Sequence, residues 1–186
     1  MATTGPRIAP LPEAEWDDEA RETLQRAVGD AWRHPPNLFT TLVRHPKLLK
    51  RWLVFGAHIL RKSTLPARER ELVILRTGWL CRAEYEWGHH AVIGKQAGLT
   101  DEEVVRITKG ATAPRWSALD AALLRSTDEL CADKKIADDT WAALSKLLDT
   151  RQLMDFVFTV GEYVMVSMVF RTLGVEHDDG YPRFPP

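Results

Sequence analysis

The sequence predicts an all-α protein. Apolar residues recur at helical spacing along most of the chain, helix-start signals precede several of these stretches, and no alternating apolar and polar pattern indicates a strand. These signals predict roughly seven to eight helices. The 186 residues fit one domain with a sizeable core. We expect that domain at residues 13–180, between an extended arm (1–12) and a proline-rich tail (181–186).

Prolines and capping residues set the boundaries in the first part of the chain. Residues 13–28 have apolar side chains at helical spacing and acids in the first turns, which the helix dipole favours. The turn at 33–36 ends this helix, and Asn37 can cap a short segment through Val43. Pro46 begins a strongly apolar helix that continues to Ser63, which we expect deep in the core.

The next segment is predicted to form two consecutive helices. Pro66 suits a first helical position, and an extensive apolar face follows it. Gly78 and the cluster at 81–84 interrupt the periodicity, so a break is expected there. Gly98 is a good stop for the second helix.

Capping signals continue in the last part of the chain. Thr100 to Glu103 and Ser117 to Asp120 both begin helices, and Asp139 begins another that reaches Leu148. The last helix, 151–173, approaches the length of a membrane span. Its charged residues divide it into short runs, which favours a buried helix over a transmembrane one.

Composition excludes several classes of protein. Lys and Arg number 25 against 26 Asp and Glu, with no basic block, so no nucleic-acid partner is indicated. The two cysteines, Cys81 and Cys131, are fifty residues apart and form no CxxC motif. The N-terminus lacks an apolar signal core, and a reduced cytoplasmic setting is expected.

The residues best suited to chemistry are concentrated in the segment from Arg68 to Leu99. Glu86 and His90 are four residues apart, which stacks two titratable side chains on one helix face. Glu71 lies in the preceding helix, and packing of the two helices would bring it to the same place. These three residues are the predicted catalytic residues.

The sequence from Leu65 to Val104, LPARERELVILRTGWLCRAEYEWGHHAVIGKQAGLTDEEV, resembles the carboxymuconolactone decarboxylase family, whose relatives include alkylhydroperoxidase-D-like proteins. The peroxidases of that family carry a Glu, eleven residues, then Cys-x-x-Cys-x-x-x-His. This pattern falls on Glu71, Ala83, Glu86 and His90. The resemblance implies an alkylhydroperoxidase-D-like helical fold, a small-molecule substrate, and a homo-oligomer, either a trimer or a hexamer.

The missing cysteines argue against thiol peroxidase activity. That chemistry needs a thiolate and a second thiol within disulfide reach, but Ala83 and Glu86 stand in those positions. Cys81 is two residues from the matching position and is more typical of a core thiol. The residues that remain resemble the decarboxylase branch, which uses no metal or organic cofactor.

A decarboxylase must stabilise an enolate and donate a proton. His90 is the best proton donor, because its ordinary pKa of about 6.5 suits transfer at neutral pH. Glu86 could orient His90 or hold its charge, and a buried Glu71 could have a raised pKa. We expect Tyr163, Trp87 and Arg82 to bind substrate. Spacing alone does not choose the arginine for a substrate carboxylate among Arg68, Arg70, Arg76 and Arg82.

Other interpretations of these residues stay open at this stage. Glu71 could form ordinary ion pairs, His90 could be structural, and a metal site lacks a third ligand beside Glu86 and His90. Glu162 is a further candidate site residue, since a buried acid in an apolar helix needs a partner. Isomerisation or hydrolysis of a related compound is an alternative function, and so is a non-catalytic ligand-binding scaffold.

Overall fold

The computed structural model describes residues 5–185, without the side chain of Trp32. Residues 1–4 of the predicted arm and Pro186 of the predicted tail lie outside this range. The all-α prediction is confirmed: the described residues form nine α-helices and two short 3₁₀ segments, and they contain no strand. The helices are α1 (Asp18–Val28), α2 (Asn37–Leu42), α3 (Pro46–Arg61), α4 (Ala67–Leu80), α5 (Glu84–Gln96), α6 (Asp101–Ile107), α7 (Ala118–Asp133), α8 (Asp138–Leu144) and α9 (Thr150–Leu173).

Most helix boundaries lie within a few residues of the predicted ones. The capping boxes at Thr100 and Ser117 both form. The predicted first helix is divided, because the side chain of Asp17 accepts a hydrogen bond from the amide of Ala20 and so starts α1 at residue 18. Helix α2, with six residues, is the short segment that raises the count above eight.

Helix α4 lies at the centre of the fold, where it packs against α5, α7 and α9. Eight consecutive residues of α4, from Glu71 to Gly78, are buried, as is typical of a helix that is covered on every side. Leu72, Leu75 and Phe156 are among the side chains that form the main core around it. Any charged residue in this stretch therefore needs a partner inside the protein.

Arg76 shows how the core accommodates such a charge. Its guanidinium donates to Asp128 Oδ1 at 2.6 Å and to the carbonyl oxygens of Ile107 and Thr108 at 2.8 and 3.0 Å. These bonds satisfy the last carbonyl groups of α6 and join them to α4 and α7. Arg76 is therefore a structural residue.

The end of the chain packs along α5. Asp178 accepts hydrogen bonds from the Tyr85 hydroxyl at 2.6 Å and the Asn37 amide at 2.9 Å, and it pairs with His89 at 2.9 Å. Further along, the ring of Phe184 contacts two tryptophan rings of the core. The segment after α9 thus holds the beginning of α2 against α5.

Helix α9 is the one helix among the described residues that is long and apolar enough to cross a membrane, and half of its most apolar window is buried. A buried helix in the core of a protein can be equally long and apolar without crossing a membrane. Its outer face exposes Met154, Phe158, Met165 and Met168, which follow one another at helical spacing. This is a larger apolar stripe than scattered surface residues would give.

Gly88 allows the segment after α9 to approach α5 closely. A β-carbon at this position would lie 2.8 Å from His177 Nε2 and 2.8 Å from the carbonyl oxygen of Pro182. We predict that Gly88→Ala lowers the free energy of unfolding by about 1–3 kcal/mol, the usual cost of overpacking. Urea denaturation followed by circular dichroism measures it.

Gly161→Ala is the matched control, because a β-carbon there meets nothing within 4 Å. We expect it to be neutral or stabilising by up to about 1 kcal/mol, since alanine favours a helix more than glycine does. Equal stability of the Gly88→Ala variant and the wild type would contradict this account of the segment after α9.

Candidate active site

Three helices bring the predicted catalytic residues together. Glu71 begins the buried stretch of α4, Glu86 and His90 lie one turn apart on α5, and Tyr163 comes from α9. All four side chains are buried. The predicted break between α4 and α5 is what allows this meeting, because α5 turns back along α4.

A chain of hydrogen bonds runs through His90. Its Nδ1 atom lies 2.6 Å from Glu71 Oε2, and its Nε2 atom lies 3.0 Å from the Tyr163 hydroxyl. The other oxygen of Glu71 accepts two bonds from the guanidinium of Arg70, at 3.1 and 3.0 Å. The imidazole is therefore held at both nitrogen atoms, which fixes its orientation.

The buried pair of Glu71 and His90 favours its charged form. Burial opposes the charge on the imidazole, but the nearby carboxylates of Glu71 and Glu86 outweigh it and raise the pKa of His90. Burial also opposes the charge on Glu71, and His90 with Arg70 outweighs it and lowers the pKa of that carboxyl. The expected raised pKa for Glu71 is therefore wrong, because the sequence does not reveal these two cations.

The pKa of Glu86 is displaced in the opposite direction from that of Glu71. Its Oε2 atom lies 3.4 Å from His90 Nε2. Burial and the charge of Glu71 raise its pKa against the opposing effect of the two histidines of α5. Two neighbouring carboxyl groups with pKa values displaced in opposite directions are typical of sites of acid/base chemistry. Tyr163 remains a phenol, since burial raises its pKa well above the ordinary value.

A cavity of about 200 Å³ lies beside these groups. Glu86, His90, Tyr163 and Glu162 form its polar wall, and Arg26 and Arg61 also border it. The remaining lining is mostly apolar and comes from α1, α2, α3 and α9: Ala27, Leu38, Phe39, Trp52, Leu53, Gly56, Ala57, Ile59, Leu60 and Val166. Such a cavity, apolar with a few convergent polar groups, is typical of a small-molecule site.

Glu162 also belongs to this site. Trp52 Nε1 donates to its Oε1 atom at 2.5 Å, which supplies the partner that a buried acid in an apolar helix requires. Its Oε2 atom is buried and has no hydrogen-bond partner within the described residues. Burial and the charge of Glu86 raise the pKa of Glu162, against the opposing effect of Trp52.

Two of the three predicted substrate-binding residues lie elsewhere. Tyr163 borders the cavity, but Trp87 is in the main core, where it packs against Trp79 and Phe184. Trp87 follows Glu86 directly, so the helical step of about 100° turns it away from the cavity. Arg82 is exposed in the turn between α4 and α5, and it borders a different surface pocket.

The other predicted arginines are occupied as well. Arg68 forms ion pairs with Glu69, Glu103 and Asp120. Arg70 and Arg76 have the partners described above. The arginines that do border the cavity, Arg26 and Arg61, come from α1 and α3, and no local pattern in the sequence singles them out.

The two cysteines are close in space despite their separation in sequence. A hydrogen bond from Cys131 lowers the pKa of Cys81 to about 7, assisted by the charges of Lys134 and Arg171 and opposed by burial. Both thiols are free. Neither borders the cavity beside His90, so they are not in position to act on a molecule bound there.

The described residues do not supply a third ligand for a metal site at Glu86 and His90. Within residues 5–185, no group of three or more His, Cys, Asp or Glu side chains has an arrangement suited to a metal ion.

The Carboxymuconolactone decarboxylase family matches residues 46–129, from the start of α3 to most of α7. The resemblance inferred from the sequence is thus confirmed over the segment that contains Glu71, Glu86 and His90. No curated protein matches the chain.

Solved structures extend the likeness to the whole fold. An uncharacterized peroxidase-related protein from Silicibacter sp. TM1040 has a TM-score of 0.82 and 15% identity, with 100% of each chain covered. A peroxidase-related protein with an alkylhydroperoxidase AhpD core from Ralstonia eutropha JMP134 has a TM-score of 0.78 and 18% identity, with 92% of each chain covered.

A third similar structure is the debrominase Bmp8 in complex with 2,3,4-tribromopyrrole. Its TM-score is 0.75 at 12% identity, and the match covers 96% of this chain and 94% of Bmp8. At these identities the likeness concerns the fold, and the alkylhydroperoxidase-D-like fold is confirmed.

The coupling between Glu71 and His90 predicts a measurable change of pKa. In Glu71→Gln the imidazolium loses its nearest negative charge, so we expect the pKa of His90 to fall. Nuclear magnetic resonance of the labelled imidazole ring measures this pKa. Glu102→Gln, at an exposed position, should leave it unchanged.

The same coupling determines how stability depends on pH. The raised pKa of His90 stabilises the fold fully below its unfolded pKa of about 6.5, and this contribution is lost as the pH rises through the folded value. The lowered pKa of Glu71 stabilises the fold at pH values above the unfolded pKa of this carboxyl group. This contribution is lost as the pH falls through the folded pKa. An unchanged His90 titration in Glu71→Gln would contradict the charged pair.

Proposed function

We propose that this chain is a cofactor-independent, decarboxylase-like enzyme that acts on a small carboxylated lactone or a related carbonyl compound. One observation carries the proposal: a buried histidine, held between Glu71 and the Tyr163 hydroxyl, presents its Nε2 side to an apolar cavity. The match to the carboxymuconolactone decarboxylase family supports the same reaction class.

The proposed reaction needs only a proton donor and a stabilised enolate. The bond between the substrate carboxylate and its neighbouring carbon breaks, carbon dioxide leaves, and the electron pair moves into a carbonyl group conjugated with that carbon, which forms an enolate. The imidazolium of His90 then gives its Nε2 proton to a carbon atom of the enolate. The neutral imidazole regains a proton from water, which completes the cycle without a metal or an organic cofactor.

The surroundings of His90 suit this task. The ionised Glu71 keeps the imidazole protonated, and Arg70 keeps Glu71 ionised. The Tyr163 hydroxyl, which stays protonated, can donate to the developing enolate oxygen. The apolar lining excludes water, which strengthens these electrostatic interactions.

Two alternatives use the same cavity. Isomerisation or hydrolysis of a related carbonyl compound would use the same proton donor, and a non-catalytic protein would bind the ligand only. Release of carbon dioxide separates them from the proposed reaction. A thiol peroxidase remains disfavoured, because no cysteine borders the cavity in the described part of the chain.

The homo-oligomer expected from the sequence stays a prediction. The exposed apolar stripe of α9, formed by Met154, Phe158, Met165 and Met168, supports it, because burial of such a stripe against another subunit would remove it from water.

Removal of His90 should abolish the reaction. We expect His90→Ala to lower the rate of carbon dioxide release from carboxymuconolactone, without added metal or cofactor, by about 10²–10⁴-fold. His58→Ala is the matched control, because His58 is half exposed and pairs with Asp155 on the surface. Equal rates in the His90→Ala variant and the wild type would refute the role of His90.

Arg61 should hold the substrate carboxylate at the edge of the cavity. It is exposed, and it has no ion-pair partner among the described residues. Arg61→Ala should raise KM by about tenfold with a smaller change in kcat, since a charge-assisted hydrogen bond is worth about 1.5–3 kcal/mol. Steady-state kinetics with Arg51→Ala as control test this, and an unchanged KM would contradict it.

A further inference from the structure

The carboxyl group of Glu162 has one oxygen atom without a partner, although the side chain is only 4% exposed. A buried oxygen in this condition is costly, and native structures usually satisfy it with a protein group, water or a ligand. Glu162 borders the cavity beside His90. Glu162 also borders a second pocket, whose other lining residues, such as Phe55, Phe158 and Met165, carry no polar side chain. The cavity beside His90 is the pocket that combines Glu162 with other polar groups, and a partner for Oε2 is assigned there.

Trp52 fixes the direction in which this oxygen points. Its indole N–H donates to Oε1 at 2.5 Å, so rotation of the carboxyl group would break a strong hydrogen bond. The carboxyl group is thus pre-organised, with one oxygen bound to the protein and the other buried and unpaired.

The charges around the cavity limit what the partner can be. The imidazolium of His90 shares the polar wall with Glu162, and Arg26 and Arg61 also border the cavity. Arg26 is paired with Glu22, and the positive charges of His90 and Arg61 offset the carboxyl groups of Glu86 and Glu162. These balanced charges do not require a cationic ligand. A neutral donor, the hydroxyl group, satisfies Glu162 without changing this balance.

The size of the cavity sets the rest of the ligand. Its volume of about 200 Å³ and its apolar lining suit a single ring, since an apolar cavity of about 150 Å³ accommodates benzene. The lining groups from Trp52, Leu53 and Leu60 would cover the faces of such a ring.

We propose that Glu162 is a substrate-binding residue that accepts a hydrogen bond at Oε2 from the hydroxyl group of a small ring compound. Trp52 is the positioning residue that holds the carboxyl group for this contact. The inference deepens the proposed function and rests on it for the acid/base chemistry at His90. It narrows the substrate class to carboxylated lactones or related carbonyl ring compounds that also carry a hydroxyl or enol group, which carboxymuconolactone itself lacks.

A pair of probes that differ only in the donor tests this contact. 4-Fluorophenol carries a hydroxyl group, and 4-fluoroanisole carries a methyl ether that accepts but does not donate. Fluorine magnetic resonance at pH 8 measures both affinities. We expect the wild type to bind the phenol about tenfold more tightly, the effect of one hydrogen bond to a charged group.

Two variants identify the residue responsible. Glu162→Leu should bind both probes with similar affinity. In Glu162→Gln, Trp52 should hold the amide oxygen and turn the NH₂ group toward the cavity, where phenol and ether accept equally well, so the preference should again disappear. Glu102→Gln, on the surface, should retain it. Circular dichroism verifies that each variant is folded.

Three results would overturn the inference: equal binding of the two probes by the wild type, binding of neither probe, or a preference that survives in both Glu162 variants. The outcome is separate from the proposed reaction. Absence of carbon dioxide release with an intact phenol preference would reject the reaction and keep the binding role. Carbon dioxide release that depends on His90, without any preference for the phenol, would support the reaction and reject the binding role of Glu162.

Discussion

The hydrogen bond between Glu71 and His90 is the interaction on which the rest of the site depends. It places an ionised carboxylate and an imidazolium inside the protein, where neither would be stable alone. Arg70 completes the compensation on the far oxygen of Glu71. Because the bond joins α4 to α5, it sets how the two helices align, and the alignment then directs the second nitrogen of His90 to Tyr163 and the cavity.

The core of this arrangement could be predicted from the sequence. Glu86 and His90 face the same side because four residues make about one helical turn. The break after α4 follows from local interruptions, and the capping residues mark the later helices. Glu71 could be placed beside them because two consecutive helices pack together. What the sequence could not supply was the direction of the pKa of Glu71, because that depends on which cations contact its two oxygens.

The errors concern residues whose position depends on tertiary structure. Trp87 is next to Glu86 in the sequence, but its helical position turns it into the core. Arg82 is near the site in sequence, but the turn that follows α4 directs it to another surface. The arginines that border the cavity, Arg26 and Arg61, come from α1 and α3 and give no local signal. The proximity of Cys81 and Cys131 likewise results from the packing of α4 and α7.

The hydrogen bond from Trp52 to Glu162 has a practical consequence. Indole fluorescence responds to nearby charge and to the polarity around the ring, and this indole contacts both a carboxyl group and the wall of the cavity. Of the seven tryptophans in the chain, Trp52 is the one that borders the cavity within the described side chains. Its emission is an intrinsic optical signal of whether the cavity is empty or filled, and it needs no added label.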